Sequence, residues 1–246
     1  GLVSYLMGRP LVLHEANSVA GSANRVLARF ADRVLTGFPQ TLEHGQWVGN
    51  PIRESFEALD DCKARYAMRQ GPLYLLVVGG SLGAAALNVV VPEALALLPD
   101  DQRPNVMHQT GEQHLEAVIK KYQQLGVRGE LRSFIDDMAT AYAKADLVIC
   151  RSGAMTVSEI SAAGVAACFV PFPHAIDDHQ TANARFLSDA KAAILMPQTE
   201  LDAAALATLI LGLRREDLAE MASKAQALAK FRATEEVASI CAECAR

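Results

Sequence analysis

The alternation of short apolar runs with amphipathic stretches is the feature that most constrains the fold of this chain. Uninterrupted apolar runs such as residues 73–78 and 147–150 are typical of parallel strands that are buried on both faces. Helical patterns of about three turns separate such runs. This βα repetition predicts an α/β protein with a doubly wound sheet. The strands are expected at residues 11–14, 34–37, 73–78, 106–109, 130–134, 147–150, 167–170 and 193–196.

Two of the predicted strands run into glycine turns that each begin a helix. Residues 79–84, with the sequence GGSLGA, follow one strand, and residues 151–153, with the sequence RSG, follow another. Glycine allows a close approach of the backbone, and a helix N-terminus binds phosphate without a metal. The spacing is neither that of a P-loop nor G-x-G-x-x-G, and a purely structural turn is the alternative for each loop. Two such loops in one sheet favour a nucleotide crevice.

The helix after the second loop admits another interpretation. Thr156 and Glu159 have the spacing of a capping box, in which each side chain satisfies a backbone N–H at the start of a helix. On this window alone, a structural cap and a ligand-binding role are equally supported.

A third element, residues 174–183, follows the expected strand at 167–170. His179, Gln180 and Asn183 offer an imidazole and two amides to sugar hydroxyls from the start of one helix. A metal site is the rival interpretation, but the acidic pair is placed to cap the helix, and no further ligand pair lies at zinc spacing. The rival site would use His174, Asp177, Asp178 and His179.

The motifs along the chain occur in the order of a known enzyme family. They are HEAN at 14–17, GNPIR at 49–53, GGS at 79–81, FIDDM at 134–138, RSG at 151–153 followed by Ser158 and Glu159, and HQ at 179–180. Over essentially its whole length the chain resembles the MurG family, the bacterial N-acetylglucosaminyltransferases that make lipid II from lipid I. The resemblance implies the GT-B architecture, in which two Rossmann-like domains enclose the active site, and a role in peptidoglycan synthesis, cell shape and cell division.

The resemblance also predicts how the chain is divided. Residues 1–51 would be the remnant of an N-terminal acceptor and membrane domain, 52–230 a complete C-terminal domain that binds UDP-N-acetylglucosamine, and 231–246 a helix that returns to the first domain. The chain begins at Gly1 without an initiator Met, so we expect a fragment of a longer protein that binds the donor without transferring its sugar. The catalytic base is therefore unassigned and is expected in the missing N-terminal segment. His14, beside Glu15, is interpreted as a structural residue.

The resemblance assigns a donor pocket and roles within it. Ile135 would bind uracil through its backbone, Glu159 the ribose hydroxyls and Gln180 the sugar hydroxyls. Ser81 and the helix start after Gly153 would contact the diphosphate, and Arg53 would offset charge on the leaving UDP. No metal and no cofactor are expected. The complete predicted set is Asn17, Arg53, Ser81, Ile135, Ala154, Met155, Thr156, Val157, Ser158, Glu159 and Gln180.

The function implied is inverting transfer of N-acetylglucosamine from UDP-N-acetylglucosamine to lipid I. Two alternatives share the donor pocket: a UDP-N-acetylglucosamine 2-epimerase on the same fold, and a binding module without catalysis. Epimerised sugar formed from donor alone would support the isomerase, and UDP binding without turnover would support the binding module.

Net charge and the length of the apolar runs indicate which kinds of partner the chain can have. A net charge of -5 argues weakly against nucleic acid, and the apolar runs are shorter than the ~20 residues that span a bilayer. An odd number of cysteines, five, suits a reducing cytoplasm, and the Cys241–Cys244 pair lies in an alanine-rich helix.

A membrane surface is the further expected partner. Arg25, Arg29 and Arg33 recur every four residues near Val26 and Phe30, which predicts a basic stripe that faces anionic lipid. A solvated helix face is the alternative. The resemblance places the enzyme on the cytoplasmic side of the bacterial inner membrane as a peripheral protein.

Overall fold

The computed structural model describes residues 1–80 and 83–245, and the predicted phosphate contact Ser81 lies outside these ranges. The described residues form two parallel sheets. The first has the order β1-β2-β3, with β1 (Val12–Glu15), β2 (Arg33–Thr36) and β3 (Gln46–Trp47). The second has the order β6-β5-β4-β7-β8-β9, with β4 (Tyr74–Val78), β5 (Asn105–Gln109), β6 (Glu130–Arg132), β7 (Leu147–Cys150), β8 (Ala166–Phe169) and β9 (Ile194–Leu195).

Helices connect the strands and cover the sheets. The second sheet thus follows the α/β pattern that the apolar runs predict. The α-helices are α1 (Leu2–Leu6), α2 (Ser22–Leu27), α3 (Glu54–Glu57), α4 (Cys62–Ala67), α5 (Ala85–Leu97), α6 (Leu115–Gln124), α7 (Met138–Lys144), α8 (Ala154–Ala163), α9 (His179–Ser188), α10 (Ala203–Gly212), α11 (Arg215–Ala227) and α12 (Ala233–Cys244).

Each predicted strand is present: residues 147–150 match the prediction, and the other strands differ from it by a residue or two at one or both ends. The additional strand β3 escaped prediction because Gln46 and Trp47 form no apolar run. Its existence depends on parallel pairing with β2, where Leu35 lies opposite Gln46.

Strand β7 shows why the apolar runs are continuous. Leu147 and Ile149 pack on one face of the second sheet, and Val148 and Cys150 pack on the other. Helices cover both faces of the sheet, so the residues that point to either face of β7 are apolar. Burial raises the pKa of the Cys168 thiol on the neighbouring strand to about 12, as expected for a core cysteine.

The strand order places a ligand crevice at the centre of the second sheet. Strand β4 pairs with β5 on one side and with β7 on the other. Consecutive connections therefore leave in opposite directions between β4 and β7, and open α/β sheets bind ligands at the carboxyl ends of the strands at this switch point. Both glycine turns follow these two strands.

The predicted basic stripe does not lie on one helix. Helix α2 ends at Leu27, and Arg33 is the first residue of β2. A four-residue spacing places side chains on one face only within a helix, so Arg33 does not share a helix face with Arg25. No helix in residues 1–80 and 83–245 combines the length and apolar character needed to cross a bilayer.

Candidate functional site

A cavity of about 690 Å³ opens at the switch point between the ends of β4 and β7. Both glycine turns and the first residues of α5 and α8 line it, so two helix N-termini meet at one crevice. Residues from the loops after β5, β8 and β9 complete the wall. The lining residues are Gly79, Gly80, Gly83, Ala84, Ala85, Ala86, His114, Arg151, Gly153, Thr156, Phe172, His174, Gln180 and Gln198.

The turn after β4 requires glycine where it approaches β5. Gly83 has a φ of +77, and a Cβ added there would collide with the carbonyl oxygen of Thr110. An L side chain is disfavoured by the positive φ as well as by this contact. The close approach brings the start of α5 to the edge of the crevice.

Helix α8 begins without a side-chain cap, so the capping-box interpretation is wrong. Gly153 is the N-cap and the helix starts at Ala154, which puts Thr156 inside the first turn rather than at the cap. The first backbone N–H groups of a helix have no intrahelical partners and carry the positive end of its dipole. In the described chain no side chain caps this end, so these groups are available to an anion.

The residues predicted to bind the donor from Ala154 to Glu159 differ in their exposure. Ala154 and Val157 are buried in the core, so their side chains are structural and only their backbone is near the crevice. Met155 is exposed, and Ser158 accepts a hydrogen bond from Asn50 Nδ2 at 3.0 Å. The amide of Asn50 also donates to the Ala16 carbonyl at 3.0 Å and thus joins the loop after β1 to α8.

Glu159 on α8 forms an ion pair with Arg53, and neither residue is among those that line the cavity. Arg53 Nη2 lies 3.1 Å from Glu159 Oε1, and the exposed fractions of the two side chains are 52% and 15%. Burial raises the pKa of Glu159 above its ordinary value, and the charge of Arg53 opposes that shift. The guanidinium also lies 4.8 Å from the ring centroid of Phe56. The structure therefore pairs Arg53 with a carboxylate, a partner that the sequence analysis did not give it.

Gln180 presents its amino group to the cavity. Its Oε1 accepts a hydrogen bond from the backbone N–H of Phe172 at 2.9 Å, which fixes the orientation of the amide. The backbone carbonyl of Gln180 accepts from the Ser152 hydroxyl at 2.8 Å. The side chain is thus placed to donate to a hydroxyl oxygen.

Asn183 was expected to read sugar hydroxyls, and this expectation is wrong. The residue is fully buried and hydrogen-bonded to Asn17, Ser18 and Ser152. Its side chain points to the loop after β1 and is not part of the cavity wall that Gln180 lines.

Ile135 lies on the loop after β6. Its side chain is 9% exposed and packs in the core, so the side chain is a structural part of the domain. Ile135 also lines a smaller cavity of about 300 Å³ together with Phe134, Thr140 and Lys144.

His14 and Glu15 both make hydrogen bonds to neighbouring loops, and the structural interpretation of His14 stays a prediction. The His14 Nε2 atom lies 2.9 Å from the carbonyl oxygen of Gly49. The buried carboxylate of Glu15 accepts from the backbone N–H of Asn17 and from the side chain of Asn24, at 2.9 and 2.8 Å. Glu15 thereby shapes the loop that carries Asn17.

The comparisons with known proteins agree with this geometry. The Glycosyltransferase family 28 C-terminal domain matches residues 74–239. The chain is 64% identical over 245 residues to a protein of Polynucleobacter asymbioticus named UDP-N-acetylglucosamine--N-acetylmuramyl-(pentapeptide) pyrophosphoryl-undecaprenol N-acetylglucosamine transferase, covering 100% of this chain and 69% of the relative. A Ralstonia nicotianae protein of the same name is 60% identical, with 100% and 68% covered. The crystal structure of Acinetobacter baumannii MurG superposes with a TM-score of 0.89 at 41% identity, covering 97% of this chain and 68% of that one.

The chain belongs to the MurG family. It is therefore a glycosyltransferase of the N-acetylglucosaminyltransferase class, with the GT-B architecture. A UDP-GlcNAc 2-epimerase from Neisseria meningitidis has a TM-score of 0.65 at 12% identity, a likeness that shows the fold alone. The isomerase alternative is not favoured.

Arg151 is a residue of this MurG-family site to which the sequence analysis gave no role. Its guanidinium donates to the carbonyls of Val170 and Pro171 at 2.9 and 3.0 Å, and to Gln198 Oε1 at 2.7 Å. Burial lowers the pKa of Arg151 from its ordinary value. The sequence does indicate this residue, because a charged side chain directly after a buried strand lies at the carboxyl end of that strand, where the crevice opens.

The acidic segment before α9 does not build the rival metal site. In the described residues no three His, Cys, Asp or Glu side chains come together to hold a metal ion. Asp178 occupies the N-cap position, but its carboxylate accepts from the Thr181 hydroxyl at 2.7 Å rather than from a backbone N–H. His174 packs edge-on against Phe172, with 5.6 Å between the ring centroids.

Proposed function

We propose that this chain binds UDP-N-acetylglucosamine in the switch-point crevice, as the donor site for transfer of the sugar to lipid I, which forms lipid II with inversion at the anomeric carbon. The observation that carries the proposal is the meeting at one crevice of two helix starts, those of α5 and α8, that no described side chain caps. A diphosphate supplies the negative charge that such a site binds without a metal. The relatives of this chain are named for this transfer.

The donor is oriented by groups around the two helix starts. Its diphosphate lies against the glycine turns, and its ribose hydroxyls donate to the Glu159 carboxylate. The uracil contacts the backbone at Ile135, and the sugar contacts Gln180 and Asn17. Each role matches the chemistry of the group, since a carboxylate accepts from two vicinal hydroxyls and an amide N–H donates to a hydroxyl oxygen.

Transfer follows as a single displacement. A base removes the proton of the acceptor hydroxyl, and the oxygen attacks the anomeric carbon as the bond to the UDP oxygen breaks. The helix dipoles stabilise the charge that develops on UDP, and the half-buried cation of Arg151 adds to their effect. No described residue is assigned as the base.

Gln180 provides a test of sugar recognition. Gln180→Ala is expected to weaken UDP-N-acetylglucosamine binding by about fivefold, the effect of one neutral hydrogen bond, with UDP binding hardly changed. Isothermal titration of both ligands measures the difference. Gln226→Ala on α11 is the matched control. Equal losses for the two ligands would place Gln180 against the nucleotide instead.

The transferase proposal is tested by following radiolabelled sugar. Lipid II formed from labelled donor and lipid I would establish the transferase, and an inverted anomer in that product would support single displacement. Epimerised sugar in the absence of acceptor would instead establish the isomerase. Donor binding with no product from either incubation would establish a binding module.

The same proposal includes peripheral attachment to an anionic membrane. The exposed apolar side chains of Tyr5, Leu6 and Phe30 form a patch in which the two rings lie 5.0 Å apart. Arg25 and Arg29 are exposed beside this patch on and just after α2. Apolar side chains rimmed by cations match the boundary between acyl chains and anionic headgroups.

Vesicle binding tests this surface. Arg25→Gln is expected to lower affinity for vesicles that contain phosphatidylglycerol by about fivefold, from the loss of ~1 kcal/mol per basic residue. Cosedimentation at low salt measures the change, and Arg128→Gln is the control. An equal loss for both variants would indicate a general charge effect rather than a docking face.

A further inference from the structure

Asn183 uses the full hydrogen-bonding capacity of its side chain at the junction of the two sheets. Its Oδ1 accepts from the backbone N–H and from the hydroxyl of Ser18, each at 2.8 Å. Its Nδ2 donates to the carbonyl oxygen of Ser152 and to Asn17 Oδ1, each at 3.2 Å. A carboxamide has two acceptor and two donor positions, and all of them are used here.

The orientation of this amide is set by backbone groups. The Ser18 N–H only donates and the Ser152 carbonyl only accepts, so exchanging the oxygen and nitrogen of Asn183 would place like groups against each other at both ends. The residue is 0% exposed, and an unpaired polar group at such a position carries its full desolvation penalty. Asn183 therefore has one orientation.

The orientation of Asn17 follows from that of Asn183. Since Asn183 directs an N–H at Asn17, the oxygen of Asn17 faces α9 and its Nδ2 points the other way. No described residue accepts a hydrogen bond from that amino group. Gln180 has the same polarity, because its oxygen is held by the Phe172 N–H.

We propose that Asn183 is a positioning residue that holds Asn17 so that its Nδ2 donates to an oxygen of the donor sugar. This inference rests on the proposed function, in which Asn17 contacts the sugar. Asn17 and Gln180 then each present an amide N–H to the sugar, so the sugar contributes an acceptor oxygen to each of them. Asn183 acts through Asn17 and does not touch the ligand.

A double-mutant cycle tests the coupling. The measured quantity is the ratio of the UDP and UDP-N-acetylglucosamine dissociation constants, which isolates the contribution of the sugar. Asn17→Ala and Asn183→Leu are each expected to lower this ratio by about fivefold, and Asn183→Leu in the Asn17→Ala background is expected to lower it no further. Leucine keeps the shape of the buried side chain without its hydrogen bonds. A purely structural role would lower UDP affinity and leave the ratio unchanged.

The outcomes separate two failures. If Asn183→Leu lowers the ratio by the same factor in both backgrounds, Asn183 does not act through Asn17 and the inference is overturned. If Asn17→Ala leaves the ratio unchanged, the sugar contact of Asn17 in the proposed donor site is refuted and the inference with it. Gln226→Ala provides the unaffected reference.

A measurement on the unmodified chain remains available if Asn183→Leu does not fold. The side-chain amide resonances of Asn17 are expected to shift when UDP-N-acetylglucosamine is added but not when UDP is added. Those of Asn183 are expected to stay protected from hydrogen exchange in every state. Rapid exchange of the Asn183 amide, or an Asn17 shift of the same size with UDP, would overturn the proposal.

Discussion

Glu159→Gln is expected to weaken UDP-N-acetylglucosamine and UDP binding by about 10- to 100-fold while leaving the fold intact. The carboxylate accepts from two ribose hydroxyls in the proposed complex, and a hydrogen bond to a charged group contributes roughly 1.5–3 kcal/mol. Arg53, the present partner of Glu159, is half exposed, so losing the ion pair costs little stability.

The stability of this variant distinguishes ligand binding from a structural role. Burial raises the pKa of Glu159 in the folded state, so the folded chain binds this proton more tightly than the unfolded chain does. Stability from this group is lost as the pH rises from the ordinary carboxyl pKa through the raised value. At pH 7 a neutral amide removes that penalty, and the melting temperature is expected to be unchanged or higher.

Calorimetric titration and thermal melting measure the two effects. Glu216→Gln, at an exposed position of α11, is the control and is expected to change neither. A lower melting temperature with unchanged nucleotide affinity would show that Glu159 is a structural residue.

The chain is expected to lose roughly 3 kcal/mol of stability between pH 6.5 and pH 4 through His108 alone. His108 is fully buried on β5 and lies 3.0 Å from both the Tyr122 hydroxyl and Asn88 Oδ1. Burial lowers its pKa to about 4. Below pH 6.5 the unfolded chain binds a proton that the folded chain does not, so stability falls as the pH falls.

His108→Gln isolates this contribution. Glutamine keeps a donor and an acceptor for the two partners but does not titrate. Urea denaturation at several pH values between 7 and 4.5 should give a shallower dependence for this variant than for the unmodified chain. The exposed His44, changed to Gln, serves as control. Identical slopes for His108→Gln and the unmodified chain would show that folding does not lower the pKa of His108.

Most of the sheet and part of the site were predictable from local pattern. Apolar runs report burial on both faces, and the glycine turns after β4 and β7 were recognisable because each lies between a strand and a helix. Gly153 lies between the end of β7 and the start of α8. The helix start after it was correctly predicted, and its contact with a ligand stays a prediction.

Errors arose where one local pattern has two structural solutions. Thr156 and Glu159 have the spacing of a capping box, but the helix begins two residues before Thr156 and turns Glu159 toward Arg53. Arg33 continues a four-residue spacing, yet α2 ends before it. Spacing specifies a helix face only if the helix covers the whole spacing, and its ends are set by packing.

Residue order by itself determined the α/β class, the glycine turns and the family, because periodicity, chain direction and motif order are properties of a linear chain. Tertiary structure alone decided the partners of the polar side chains. Asn183 lies 165 residues from Ser18, and Arg53 lies 106 residues from Glu159. Hydrogen bonds act over about 3 Å, so the packing of the two sheets determines which of these groups meet. That packing buries Asn183 between the two sheets, whereas Gln180, three positions earlier, faces the crevice.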